Sequence, residues 1–282
     1  MTKPDILELQ KKAIEIRKDI LKMLCIAGSG HTGGSLSIVE ILIALYHYAL
    51  KNDPKKPQWK ERDFLLLSKG HACPALYAIL AEKGYFGKDE LWTLRKLGSQ
   101  LQGHPQLGLP GIEISSGSLG QGLSIANGMA LAARLDKSDT RIYCLLGDGE
   151  TNEGQVWEAA MTAAHYKLDN VCAIIDFNKL QIDGFCCDVK DMGAYIDKWK
   201  DFGWYTIETD GHDMGKLMDA FDKARTIKGT PTIIIAHTVK GKGVSFIENK
   251  VEWHGIAPKE KECEQAIKEL DEELRKLNVS RS

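Results

Sequence analysis

The chain has 282 residues and a mass of 31.3 kDa, enough for one large α/β domain or two small ones with a sizeable buried core. With 37 Lys and Arg against 39 Asp and Glu, the formal net charge of -2 offers no global positive field to nucleic acid or an anionic membrane, so any phosphate must be gripped locally. Hydrophobic residues at 43% and charged ones at 27% exclude disordered, collagenous and coiled-coil classes.

The amino terminus runs from Met1 and Thr2 into a charged stretch between Glu8 and Lys18, without the apolar core of a signal peptide. No segment reaches the roughly 18 uninterrupted apolar residues of a membrane span. A cytoplasmic protein is therefore expected. A first helix is predicted from about Asp5 to near Gly28, followed by a loop over 28–34. A second helix is predicted to open at Ser37, which has capping-box spacing to Glu40 and is followed by Ile38, Ile41, Leu42 and Leu45 at helical intervals.

Short apolar runs then alternate with helical patterns. Strands are predicted at 64–67, 142–146, 171–175, 205–207 and 232–236, with helices near 73–84, 119–135, 153–167, 191–202 and 213–226. Strands that are apolar on both faces and separated by helices indicate an α/β fold, a parallel sheet with helices on both faces. No repeat, linker or low-complexity stretch divides the chain, so 1–282 reads as a single domain, with 258–277 a charged, Glu- and Lys-rich helical tail.

The seven cysteines form no C-x-x-C, which argues against a disulfide framework and a thiolate zinc site. Cys144 and Cys172 sit in apolar runs as small hydrophobes. Adjacent Cys186 and Cys187 are the pair open to redox chemistry.

In such a sheet ligands lie beyond the carboxyl ends of the strands. There the sequence is polar and rich in glycine. Asp148, between two glycines, offers a hard oxygen ligand, although G-D-G is also a common turn. Asn178, at the end of the next strand, can lie beside it if the two strands are neighbours, and Leu180 adds a backbone carbonyl. Three oxygen donors of this kind suit Mg2+ or Ca2+ bridged to a diphosphate. The glycine-rich turn 117–122, ahead of a helix, reads as either a phosphate cradle or a tight turn. His31, His71, His104 and His254 fall in loops at element ends, whereas His47, His165, His212 and His237 read as structural or solvent-exposed.

The order and spacing of Ser29-Gly30-His31, Lys69-Gly70-His71-Ala72, Gly103-His104-Pro105, the 117–122 turn, Gly147-Asp148-Gly149 through Glu153-Gly154, the 178–184 segment and His254-Gly255 resemble the amino-terminal, diphosphate-binding half of transketolase. The resemblance implies a thiamine-diphosphate-binding fold. It places a divalent metal (Mg2+, with Ca2+ or Mn2+ as substitutes) on Asp148, Asn178 and the Leu180 carbonyl. It places thiamine diphosphate against His71, Gly117, Ser118, Leu119, Asp148, Gly149, Glu153, Asn178, Ile182 and His254. His31, His104 and His254 would face the sugar, and the catalytic set would be His31 and His254 for proton movements with Glu153 linking the two active sites of a dimer. Thr32 and Ser118 stand where many members carry proline, which bears on loop stiffness.

The family continues into a second α/β domain and a third, and the second domain supplies the glutamate that activates the cofactor. The expectation is therefore the amino-terminal subunit of a split transketolase in an α2β2 assembly, inactive without its carboxy-terminal partner. It would transfer a two-carbon ketol unit from a ketose phosphate to an aldose phosphate in pentose phosphate metabolism, with no nucleic-acid or membrane partner. The alternatives are the alpha subunit of a 2-oxo acid dehydrogenase, a non-catalytic regulatory subunit that binds the cofactor, and a Mg2+-dependent phosphohydrolase.

Overall fold

The structure is a computed structural model and describes residues 3–182 and 184–279, so Asp183 of the predicted cofactor segment lies outside it. Asp5 caps helix α1 (Ile6–Ala27) by accepting from the Leu7 N–H at 2.9 Å, and Gly28 closes it in the left-handed region at φ 64°.

The next stretch differs from expectation. The predicted 28–34 loop is already helical from Thr32, giving α2 (Thr32–Leu36), and α3 (Val39–Ala44) follows with a widened π turn over Leu45–Ala49. Ser37 does not open a capping box. It has helical dihedrals (φ -65°, ψ -29°), and its hydroxyl donates to Asp176 Oδ2 at 2.7 Å. Glu40 turns to Arg17 instead of reaching back. Long-range charged and hydroxyl partners outcompete the local cap.

Strand β1 (Phe64–Leu67), α4 (Cys73–Lys83), α5 (Gln121–Leu135), β2 (Ile142–Gly147), α6 (Gly154–His165) and β3 (Val171–Phe177) follow close to prediction. A short helix α7 (Cys186–Lys190) precedes the helix expected at 191–202, which begins only at Tyr195 as α8 (Tyr195–Asp201), because Asp191 Oδ1 accepts from the Gly193 N–H and Gly193 takes φ 56°. Then come β4 (Tyr205–Asp210), α9 (Met214–Thr226), capped by Asp213, and β5 (Thr232–His237). The five strands are all parallel in the order β1-β2-β3-β5-β4.

Alternate residues of each strand enter different cores. Leu65, Tyr143, Cys172 and Ile234 pack with α1, α3, α4 and α9, while Leu66, Cys144, Ala173 and Ile233 pack with α5, α6 and α8. Both faces of the sheet are thus covered, as uninterrupted apolar strands require. Cys144 and Cys172 are buried within these cores. The charged tail is helix α10 (Glu260–Val279), and it packs: Cys263, Ala266 and Leu270 are buried, and Lys18 of α1 meets Asp271 at 2.6 Å. Among the described residues no helix is long and apolar enough to cross a membrane.

Candidate active site at the carboxyl edge of the sheet

The strand register delivers a polar cluster to one edge. Gly147 pairs with Asp176 and Phe177 with His237, so Asp148, Asn178 and the segment after β5 leave the sheet side by side. Lys69 follows β1, and His71 lies in the short turn Gly70–Ala72. Together these residues enclose a cavity of about 410 Å³ that also reaches His31, His104, Glu153 and His254.

Asp176, fully buried, anchors the inner wall. Its Oδ2 accepts from Lys69 Nζ at 2.5 Å, Ser37 Oγ at 2.7 Å and Asn178 Nδ2 at 2.8 Å, and Thr238 Oγ1 donates to Oδ1. Burial opposes its charge, but Lys69 together with the Thr238 and Ser37 hydroxyls outweighs burial and holds the carboxyl below its usual range. Lys69 also donates to Gly34 O at 3.1 Å, which fixes the start of α2 below His31. Glu150 plays a similar part beside it. It accepts from the N–H groups of Gly120 and Gly147, both at 2.9 Å, and from the Ser68 hydroxyl, tying the ends of β1 and β2 to the turn before α5.

Asp148, Asn178 and Leu180 all line the cavity. Asp148 accepts from the N–H groups of Gly149 (2.7 Å) and Lys179, Asn178 Oδ1 from the Leu180 N–H (3.1 Å), and the Leu180 carbonyl from Lys240 Nζ (3.2 Å). Among the described residues no three His, Cys, Asp or Glu side chains form a ready-made metal centre, so a cation here would rely on one carboxylate plus neutral oxygens and its own ligand. Two observations fit such a group. Burial, reinforced by Asp176, pushes Asp148 up to about 6, a carboxylate short of positive charge. Asn152 Oδ1 and Gln181 Nε2, buried side-chain atoms of residues lining the same cavity, have no hydrogen-bond partner.

The four loop histidines converge. Ring centroids of His31 and His71 are 5.1 Å apart, His31 and His254 5.6 Å, His71 and His254 5.3 Å, and His31 and His104 6.5 Å. Burial is the main cause that lowers all four: His31 to about 4 and His254 to about 3, with His71 and His104 also below the ordinary range. Arg95 adds to the effect at His31 and His104, and Lys240 at His254. The rings are therefore neutral at pH 7. Lys240 Nζ lies 2.7 Å from His254 Nδ1, so Nδ1 accepts and Nε2 carries the ring proton.

Gly117 and Leu119 line the cavity, with Ser118 exposed in the turn between them. Gly117, at φ 148°, packs against the His104 ring, where a Cβ would lie 3.0 Å from Cδ2. A Cβ on Gly149 would meet Gln181 at 3.2 Å. Ile182 is 66% exposed at the rim, and Glu153, which also lines the cavity, is exposed. Cys186 is half-buried and Cys187 exposed, and both line a smaller pocket of about 160 Å³ that shares Asp148 with the cavity.

Sequence reasoning missed Lys69, Glu150, Asp176, Lys240 and Arg95. For Lys69, Glu150 and Asp176 a signal existed, since each lies within three residues of the end of an apolar strand. For Lys240 the cue was its setting between Thr238 and two glycines.

A parallel sheet whose carboxyl edge gathers buried lysines, carboxylates and neutral histidines around one cavity defines a cofactor-binding α/β domain. The chain belongs to the transketolase family: residues 10–279 match the family described as transketolase, thiamine diphosphate binding domain. It is 46% identical to the 6-deoxy-6-sulfo-D-fructose transketolase subunit of a Clostridium species over 95% of this chain and 98% of that one. It is 42% identical to one subunit of the apulose-4-phosphate transketolase of Phocaeicola vulgatus, over 97% and 96%. Human transketolase is 41% identical over 95% of this chain, which spans 43% of that longer protein. The transketolase structure from Campylobacter jejuni superposes with a TM-score of 0.89 at 34% identity, covering 95% of this chain and 43% of that one.

Proposed function

We propose that the chain is the cofactor-binding subunit of a two-chain transketolase, transferring a two-carbon ketol unit between sugars that carry a terminal anion. The observation that carries this reading is the convergence of Asp148, Asn178, His31, His71 and His254 on one cavity at the carboxyl edge of the sheet. In support, relatives named as transketolase subunits match this chain over nearly their whole length. Those relatives are named for a sulfonated ketose and for apulose 4-phosphate, so a ketose bearing a phosphate or sulfonate is the substrate class.

In this reading Asp148, Asn178 Oδ1 and the Leu180 carbonyl hold a divalent cation, with Mg2+ the natural choice for hard oxygen donors. His71, Gly117, Ser118, Leu119, Gly149 and Ile182 surround thiamine diphosphate. When bound, that cofactor supplies the nucleophilic carbon that cleaves the bond beside a ketone. His254, with Nδ1 held by Lys240, presents its Nε2–H into the cavity, and His31 Nδ1 is buried without a protein partner. Both rings, neutral at pH 7, can exchange protons with sugar hydroxyls, and His104 orients the sugar. Glu153, exposed on the rim, faces the counterpart site in a dimer. A 2-oxo acid substrate would give His31 and His104 no hydroxyls to handle, which favours the sugar reading.

The test is reconstitution. The chain, combined with its carboxy-terminal partner, Mg2+ and thiamine diphosphate, is expected to move a glycolaldehyde unit between sugar phosphates or sulfonates. Turnover of pyruvate-like acids with none of ketose phosphates or sulfonates would overturn the reading.

A further inference from the structure

Lys240 is a buried ammonium with a demanding position. It is 1% exposed, shares its cavity with Lys69, and reaches Leu180 O and His254 Nδ1 from the turn 239–243 that follows β5. Burial and the neighbouring ammonium of Lys69 both disfavour a charge there. The turn itself includes Gly241 at φ 81° and Gly243 at φ 94°. Something must hold this backbone still.

Two side chains grip the turn from the side away from the cavity. The Val239 N–H donates to His212 Nε2 at 2.8 Å, and Arg17 Nε–H donates to the Lys242 carbonyl at 2.8 Å. Glu40 joins them. Its Oε1 lies 2.7 Å from one Arg17 amino group, and its Oε2 accepts from the other at 2.8 Å and from His212 Nδ1 at 2.9 Å. Since the Val239 amide is a donor, Nε2 of His212 is the bare nitrogen and Nδ1 bears the proton, so both ring atoms are used. Burial works against the Glu40 carboxylate, but Arg17 and His212 outweigh it and hold it down at about 2. The cluster draws on α1, α3 and the loop between β4 and α9, and it belongs to neither the cavity nor its rim.

We infer that His212 and Arg17, aligned by Glu40, are positioning residues that hold Lys240 in the cofactor cavity through the backbone of the 239–243 turn. This rests on reading the cavity as a diphosphate site, where a fixed ammonium beside Leu180 and His254 would neutralise phosphate and set the His254 tautomer.

The complex with the partner subunit provides the test. H212N keeps a donor near the Nδ1 position for Glu40 but removes the acceptor for the Val239 N–H, whereas H212Q places an oxygen near the Nε2 position. R17K is the second lesion, keeping a charge near Glu40 while withdrawing the Nε–H from Lys242. Lysine labelling by reductive methylation without cofactor is expected to rise about tenfold at Lys240 in H212N and R17K, the equivalent of losing one buried hydrogen bond. Lys69, held separately by Asp176, should stay protected, and H212Q should restore most of the protection at Lys240. Thiamine diphosphate affinity, read by calorimetry with Mg2+, should fall in parallel in the two lesions. Unchanged Lys240 labelling and cofactor affinity in folded H212N and R17K would overturn the inference. A wild-type complex that takes up no thiamine diphosphate would instead sink the functional reading, while the Lys240 labelling contrast would still decide the anchoring claim.

Discussion

Lys69 and Asp176 meet at 2.5 Å with side-chain exposures of 2% and 0%, a charge pair wholly inside the protein at the ends of β1 and β3. Removing one member leaves the other charged and unpaired, a change that typically costs about 3–5 kcal/mol. K69M is expected to lower unfolding stability by an amount of this order. D176N is expected to cost a similar amount, because Lys69 is then the buried charge left unpaired even though an amide oxygen still accepts from Ser37 or Thr238. Urea denaturation checks both, and a K69M midpoint equal to wild type would contradict the assignment.

The neutral histidines make stability depend on pH with a definite sign. An unfolded histidine takes up its proton near pH 6.5, but folded His31 does so near 4 and folded His254 near 3. Between those values the unfolded chain binds more protons, so the stability these rings contribute is complete above pH 6.5 and is lost as pH falls. After allowance for solvent at the open mouth, roughly 1 kcal/mol for each ring is expected. Urea melts at pH 7 and pH 5 should show a larger drop for wild type than for a variant carrying H31N and H254N. Equal drops would mean the rings are not buried as described.

Thr32 ties the two sides of the histidine cluster together, since its Oγ1–H donates to the Ile256 carbonyl at 2.6 Å and so links the start of α2 to the segment bearing His254. Proline at this position would stiffen the turn but offer no hydroxyl. T32V is expected to lose about 1 kcal/mol of stability and to raise KM more than it lowers kcat, as His31 and His254 drift apart. Steady-state kinetics of the reconstituted complex measure this, and a change confined to kcat would count against it.

The sheet and most helices were legible because apolar runs of strand length alternate with helical periodicity, and the same logic placed Asp148 and Asn178 at adjacent strand ends. The histidine cluster was legible from its loop contexts. The features that escaped are those set by tertiary partners. Ser37 and Glu40 have ideal local spacing for a cap, yet Asp176, 139 residues away in sequence, takes the serine hydroxyl, and Arg17 with His212 takes the carboxylate. Lys69 and Lys240 carry only a weak cue in sequence, their places shortly after a strand end and in a glycine-rich turn. Their burial follows from the folded edge of the sheet, where Asp176, Gly34, Leu180 and His254 supply acceptors. His212 reads as a solitary histidine for the same reason, because both its partners lie far away along the chain.

The most direct test of the account is calorimetric titration of thiamine diphosphate into the complex of this chain with its partner subunit in the presence of Mg2+, comparing wild type with D148A. The account predicts saturable uptake by wild type, abolished by chelation of the metal, and an affinity weakened by at least about a hundredfold in D148A. Equal binding by the two proteins, or binding indifferent to the metal, would contradict it.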